Sequence, residues 1–585
     1  MKKIVGIILC LAVVIAAASY LLSPGKEEAG SYARFLPPDT MITVNLTHGK
    51  TLIDNFAASQ LGKALAKDTV HAIISEMDGK PEYLTEYDTV YDSVVKVAND
   101  PAFRAVFGDD VTLAVLPVDH TVLAGNPEAA AVSSLVVIAQ TSISGALDML
   151  TKFVNNDRIS RETVDGLDLV KIATDQGAVI YGYTHGRTVF LALSPVAIKA
   201  CLAAGTGQTA LDKAPAFQEA AAYWQTFPEA TTYGRAYVNT PAIAELIKRI
   251  SVADVANIPE GNEDVLAAFK EIGDMLAGIG AIYSVNYWTD QGVEERARVG
   301  LVYDQLHPMM KNLFDATAKG NQTMHLLREN TLAYVWASAL NMEYIIQSMK
   351  ADETTYQRME SGLQENVGVS MEELGRTFGP QYGGVLDDII QTPLFPWPKM
   401  TWFVEIRDRA IAGKILDKVR SAVAAQGMAN EEQEQVQDQI IHSWPILPDE
   451  ALQPAVLLTE NMLYLSTSKQ NLKEMLAAKG TPADLTARMG RDLSGRMQAA
   501  NYGNFVIFPA RMAPQIDASL AWLAHTMQMR LSKKVKMERL RHELMQLLQA
   551  VELAASTTVV TKERIEVATT IVTAKKKPEA DAGKQ

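Results

Sequence analysis

Hydrophobic and polar positions alternate in Arg296-Ala297-Arg298-Val299-Gly300-Leu301, the period of a strand with one face toward water. Elsewhere strands of this kind give way to helical spacing. Thr188 to Ser194 reads as a strand leading into a helix that carries Ile198 and Leu202. Met462 to Ser468 leads in the same way into a helix with Leu472 and Leu476. Ser194 and Ser468 stand where an N-cap belongs, and their hydroxyls can accept the free amides of the first turn. Thr184-His185-Gly186 and Glu460-Asn461 mark hairpins.

The same order of elements occurs twice. Leu36 to Val44 and Leu327 to Val335 each read as a turn and a strand, followed by polar helical regions that close at Phe107-Gly108-Asp109 and Phe378-Gly379-Pro380. Strands follow at Val111 to Leu116 and Leu135 to Ala139. Trp402 to Ile406 is the second-half partner of the latter. Each partner precedes a helix, Ser144 to Val154 and Ala410 to Ala424. Tyr233 to Val238 corresponds to Tyr502 to Ile507. Each half closes on a helix and two strands: Val265–Leu276, Ala281–Tyr287 and Arg296–Tyr303, then Met537–Leu553, Ser556–Thr561 and Arg564–Thr573. The pattern predicts repeats over 31–305 and 324–573, joined by Leu306 to Thr323, with a disordered polar tail over 574–585. The expected class is α+β: two similar halves, each a mainly antiparallel sheet with helices packed on one face, after an N-terminal membrane helix.

Leu36-Pro37-Pro38-Asp39-Thr40 opening the first strand, and Leu193-Ser194-Pro195 joining strand to helix, resemble a family of uncharacterised exported bacterial proteins, of the domain of unknown function 3352 type. The resemblance covers most of the first half and fades in the second, where Arg328 and Glu329 replace the prolines. It implies fold and compartment and no active site.

Residues 1–23 read as targeting. Lys2 and Lys3 precede an uncharged apolar run of 19 residues, Ile4 to Leu22, ended by Ser23-Pro24-Gly25. At about 1.5 Å per residue it just spans a hydrocarbon core. Its length favours a retained anchor, while Ala16-Ala17-Ala18 offers a signal-peptide cleavage site. The positive-inside rule keeps the lysines cytoplasmic and the body outside. Leu9 before Cys10 is too large for a lipidation site. Cys201, the other cysteine, reads as a buried helix position.

With 585 residues, 48% hydrophobic and 21% charged, the chain is globular and long enough for two to four domains. A net charge of −14 argues against nucleic acid, which needs basic residues to neutralise phosphates. No two of the nine histidines lie within five positions of each other, and His542-Glu543 lacks a second histidine, Gln546 standing near that place. Ser194 lacks the glycines of a nucleophile elbow. Gly205-Thr206-Gly207 lacks the phosphate-binding lysine and reads as a helix C-terminus. No catalytic residue, metal or cofactor is assigned.

Two places remain as a candidate interaction surface. Arg530, Lys533, Lys534, Lys536, Arg539 and Arg541 lie on a helical stretch from Ala518 to Leu553, which reads either as a membrane-surface or partner helix or as a solvated face of a helix packed on its own sheet. Phe395 and Trp397 sit in Pro393-Leu394-Phe395-Pro396-Trp397-Pro398, either a recognition loop or one stapled down by its aromatics. The acidic run Asn430 to Gln439 reads as a solvated helix or loop. The chain is expected to be a non-catalytic envelope protein, anchored through residues 4–22 with a periplasmic body, or soluble in the periplasm after cleavage. It would bind or scaffold an unknown envelope protein or lipid. The alternatives are a carrier of an apolar ligand between sheet and helices, and a hydrolase with dispersed residues.

Overall fold

The computed structural model describes residues 31–574 except 142–144, 146, 148–157, 174–177, 208, 251–261, 316–319, 426–429, 478–484 and 532–535. The apolar run Ile4–Leu22, the tail and most of the expected helix Ser144–Val154 lie outside the described residues. Among the described residues no helix is long and apolar enough to cross a membrane. The class is α+β with a large antiparallel sheet. The chain divides into two compact units. One comprises Met1–Ser75, Gly79–His307 and Glu563–Glu566, the other Glu76–Asp78, Pro308–Lys562 and Val567–Gln585.

The first unit contains β1 (Ile42–Thr47), β2 (Asp110–Val115), β3 (Leu135–Gln140), β4 (Ile159–Val164), β5 (Leu167–Ala173), β6 (Val179–His185), β7 (Thr188–Ala192), β8 (Thr232–Val238), β9 (Ile279–Thr289) and β10 (Gly292–Leu301). They lie in the order β4-β5-β6-β7-β3-β2-β1-β8-β9-β10, every neighbouring pair antiparallel. Val44 of the central β1 faces Leu113 on one side and Ala236 on the other. The core beneath includes Tyr32, Leu36, Ile138, Phe190, Ile198, Phe217, Trp224 and Tyr283. Phe217 meets Trp224 edge to face at 5.5 Å, and the Trp224 indole N–H donates to the Ser284 carbonyl at 2.9 Å, so the ring is buried without orphaning its donor. Ser194 caps the helix Pro195–Thr206 by accepting from the Val196 amide. Gly207 follows as its C-cap.

The second unit contains β11 (Ala333–Ser338), β12 (Phe378–Gln391), β13 (Pro396–Ile406), β14 (Glu432–Val436), β15 (Gln439–Ser443), β16 (Ala455–Leu458), β17 (Met462–Ser466), β18 (Gly503–Ile507), β19 (Val551–Val560) and β20 (Arg564–Thr573). Their order is β14-β15-β16-β17-β13-β12-β11-β18-β19-β20. The edge closures also run alike in the two units. The Met41 amide donates to the Val115 carbonyl, and the Leu332 amide to the Leu386 carbonyl. Ser468 caps the next helix by accepting from the Asn471 amide. The second core gathers Leu327, Tyr334, Trp336, Phe403, Tyr464, Leu472, Met497 and Val506.

Two expectations change, and one hairpin is added. The acidic run from Asn430 is a β-hairpin, β14 to β15, turned by Gln437 with φ 55°; its glutamates are held by lysines, as shown below. The hairpin β4 to β5 was missed, although Asp165-Gly166 marks it. Both residues take positive φ, which a tight two-residue turn between strands requires. The helical stretch Ala518–Leu553 is not continuous. One helix covers Pro509–Leu531 and a second covers Glu538–Gln549, with β19 already begun at Val551. The Arg541 guanidinium grips Asp517 through two bonds of 2.8 and 3.0 Å, a pairing that needs the chain to fold back, and helical periodicity does not record a reversal.

Candidate binding surface

Successive side chains on a strand point to opposite faces. In the second unit Tyr334, Trp336, Phe403, Tyr464 and Val506 point into the core. Their neighbours Val335, Trp402, Leu465 and Phe505 point the other way and are 43–47% exposed. Register places these four in one row. Phe505 lies opposite Val335, Val335 opposite Gly384, Gly384 opposite Trp402, and Trp402 opposite Leu465. Tyr382, also exposed, stands two positions from Gly384 on β12. The face expected to be polar therefore carries an apolar row over five strands, β18-β11-β12-β13-β17. Such contiguous apolar surface marks an interaction site more often than scattered exposed residues do. The sequence held a signal for it: Trp402-Phe403-Val404, Leu463-Tyr464-Leu465 and Phe505-Val506-Ile507 are apolar at both parities, the pattern of strands covered on both faces.

The Phe395–Trp397 segment is the tip of the β12–β13 hairpin. β13 begins at Pro396, so the loop is shorter than expected. The Thr392 hydroxyl donates to the Phe395 carbonyl at 2.6 Å and accepts from the Phe395 amide at 3.2 Å. Phe395 stacks obliquely on Trp397 at 5.5 Å. The Trp397 indole N–H donates to the Thr467 carbonyl at 3.1 Å. Trp397 is thus fixed to β13 and its surroundings, while Phe395 and Leu394 remain exposed.

The basic residues have separate fates. Lys533 and Lys534 lie outside the described residues. Lys536 is exposed. Arg539 pairs with Glu543 at 2.7 Å and Arg541 with Asp517. Gln391, at the end of β12, reaches the Gln515 carbonyl and the Ser519 hydroxyl at 3.4 and 3.3 Å. The structure thereby brings the hairpin and the helix Pro509–Leu531 together, which their separation in sequence gave no reason to expect.

Under the sheet lies a charge cluster that sequence reading missed. The Arg328 guanidinium bonds Asp387, the Glu474 carboxylate at 2.8 Å and the Asn471 amide oxygen at 3.1 Å. Asp387 also accepts from the Thr331 hydroxyl at 2.9 Å and the Asn471 amide at 3.0 Å. Lys399 reaches Glu474 at 3.2 Å. Asp387 is the extra residue of a bulge, where the register passes from Leu386–Met400 to Asp388–Lys399, and bulges re-aim side chains in this way. Two cations and two anions balance, so the cluster reads as a structural pin rather than a reactive site. A second group ties the acidic hairpin down. Buried Lys469 meets Glu434 at 2.9 Å and Glu450 at 3.7 Å, and Lys473 reaches both at 2.9 and 3.0 Å.

Among the described residues no group of three His, Cys, Asp or Glu side chains could hold a metal ion. His542 bonds Gln546 at 2.7 Å. A shallow hollow between the helices Met342–Met349 and Met371–Thr377 is rimmed by Glu343, Lys350, Glu372 and Arg376, a charged lining ill suited to an apolar ligand.

These features define an α+β protein that presents an apolar sheet face and an exposed hairpin tip. The chain belongs to the family described as Protein of unknown function (DUF3352), whose model matches residues 3–372. No curated protein matches it. Among solved structures, crystal form I of TP0453 is similar at 9% identity over 50% of this chain and 88% of that one, with a TM-score of 0.23. Crystal form IV of TP0453 is similar at 9% identity over 46% and 83%, with a TM-score of 0.22.

Proposed function

We propose that the protein is a non-catalytic binding module of the bacterial envelope. Its N-terminal apolar segment holds it at the outer face of the inner membrane, or exports it and is removed. Its two units are copies of one α+β design, a reading supported by their common strand order and edge closures. The observation that carries the binding role is the row Phe505, Val335, Trp402 and Leu465. Aromatic and large aliphatic side chains left in water on a rigid sheet cost solvation free energy that a partner's burial recovers. The charged rim of the hollow gives the apolar-carrier reading no support.

The test is photo-cross-linking in the native cell. A photoreactive residue at Leu465 or Trp402 should capture discrete adducts. The same probe at Val419, exposed on the helix Arg409–Ala425, should capture few. Equal, featureless labelling at all three positions would remove the sheet face as the binding surface. A cytoplasm-only reporter fused after Gln585 should be inactive; full activity would overturn the envelope location.

A further inference from the structure

We propose that two copies of this chain associate by laying the helix Pro81–Asn99 of one across the apolar sheet row of the other. The inference rests on the reading of that row as a binding surface and names its partner. Tyr83, Val90 and Val97 are 54%, 52% and 41% exposed. They stand seven residues apart on one helix, so they form a single stripe that drifts only slightly around the axis. The helix is pinned from behind. Asp88 meets His71 at 2.6 Å and Asp92 meets Lys67 at 2.5 Å, and the Tyr87 hydroxyl donates to the Leu65 carbonyl. Both aspartates lie two residues from Val90, hence on the side away from the stripe, while Glu82 and Glu86 flank it.

The first unit covers the same face with a helix of its own. Val106 of the helix Pro101–Phe107 packs on Ala139 and Val189, all three fully buried. Register and edge bonds make Val404 and Leu463 the counterparts of Ala139 and Val189, and Tyr382 that of Val111. Val404 and Leu463 are only half-buried and Tyr382 is 43% exposed, so the second unit leaves open what the first covers. Charge agrees. Gly503, Ala337, Tyr382, Val404 and Leu463 form a second row beside that of Phe505 to Leu465. None of the ten positions is charged, so the face accepts an apolar stripe without stranding an ion. Length agrees too. From Tyr83 to Val97 the stripe runs about 21 Å, and the five strands from β18 to β17 span about 19 Å. One such contact buries roughly half of the 800 Å² per partner of a stable interface. Exchanged both ways about a two-fold axis, two contacts reach it. An unrelated partner would have to bring a stripe that the chain already displays.

The experiment mixes two differently tagged full-length chains in detergent, both on a Cys10→Ser background. Val90 is at the middle of the stripe and Val335 next to the middle of the row, so they meet whichever way the helix runs. Under a mild oxidant, Val90→Cys in one chain should form a disulfide with Val335→Cys in the other. The yield should be several-fold above that of Val196→Cys, exposed elsewhere, with Val335→Cys. Cys201 is buried and stays out of the reaction. Adding Tyr83→Asp to the Val90→Cys chain should lower the yield about fivefold, because it puts a charge into the contact. A yield for positions 90 and 335 no greater than for 196 and 335 overturns the proposal. A yield indifferent to Tyr83→Asp overturns it equally. Denaturation midpoints of the variants, expected to match the parent, exclude misfolding as the cause of a null result. A photoreactive residue at Leu465 separates this proposal from the reading beneath it. Adducts within residues 81–99 of a second copy support the pairing. Discrete adducts elsewhere overturn the pairing and leave the sheet face a binding surface, and featureless labelling removes both.

Discussion

The indole of Trp402 lies over Gly384, its Cδ1 3.5 Å from the place a Cβ would take. One position along each strand, the Phe403 ring lies over Gly383 on the opposite face, 2.7 Å from the corresponding place. The paired glycines thus admit one large aromatic on each side of the sheet. The inner one completes the core, and the outer one stands in water at the centre of the apolar row.

The two aromatics should respond differently to truncation. Phe403→Ala removes a buried ring and should cost about 3–5 kcal/mol. Trp402→Ala loses only cross-strand contact, about 1 kcal/mol or less, and should reduce adduct formation at Leu465. Gly383→Ala should cost about 1–3 kcal/mol through overpacking, since a Cβ there also meets the Val335 carbonyl, while Gly384→Ala meets only ordinary contacts. Urea unfolding of the four variants measures these differences. A Trp402→Ala loss as large as that of Phe403→Ala would show that the row belongs to the core.

Arg328 and Asp387 explain why the second half departs from the family's proline pattern. The edge bonds make Leu386 the counterpart of Val115, so Asp387 stands where the first unit has Leu116, and Arg328 where it has Pro37. Two positions that are apolar in one unit carry an ion pair in the other. Asp387→Leu alone should cost about 3–5 kcal/mol, because it removes the buried carboxylate of the cluster and leaves the half-buried Arg328 guanidinium with Glu474 as its remaining carboxylate partner. Adding Arg328→Met should recover most of that loss, since Glu474 and Lys399 remain matched. A double-mutant cycle in urea measures the coupling, and strictly additive losses would refute it.

Much of this architecture was legible in the chain. Ser194 and Ser468 announced their caps, and the strand boundaries around Thr188 and Met462 agree with the structure to within a few residues, because local side-chain chemistry fixes both. What was not legible depends on distant partners. The acidic strand β14 has the composition of a solvated loop and exists as a strand beside β15, with Lys469 and Lys473 over its glutamates. The apolar outer face departs from the alternation of Arg296 to Leu301, because Val335, Trp402, Leu465 and Phe505 put apolar side chains at the alternate positions, which are arginines in that segment. Phe395 and Trp397 were found by composition, but their nearness to the helix Pro509–Leu531 needed Gln391 to reveal it.

Cys201 supplies a probe of global opening. Burial alone pushes its thiol up to about 12, so almost no thiolate exists at pH 8, and the thiolate is the reactive form. In a Cys10→Ser chain, a disulfide reagent at pH 8 should scarcely react with the native protein. Labelling should rise with urea along the same curve as unfolding measured by circular dichroism. Rapid labelling without denaturant would mean that the helix Pro195–Thr206 opens locally.

Glu431 should set the acid limit of the β14–β15 hairpin. Burial raises its carboxyl, but the Arg420 guanidinium, bonded at 2.6 and 2.9 Å, and His442 at 2.7 Å outweigh burial and bring it to about 2, from an ordinary 4.5. A carboxyl depressed on folding binds its proton more tightly in the unfolded chain. Its contribution is therefore complete above about pH 4.5 and is lost as pH falls toward 2. Arg420 lies on the helix Arg409–Ala425 and His442 on β15, so protonation releases a clasp between helix and sheet edge. Glu431→Gln should destabilise the protein at pH 7, and the gap between variant and parent should close as pH falls from about 4.5 to 2. Denaturation midpoints at stepped pH measure the gap. A constant difference across that window would mean that the carboxylate is not held by Arg420 and His442 in solution.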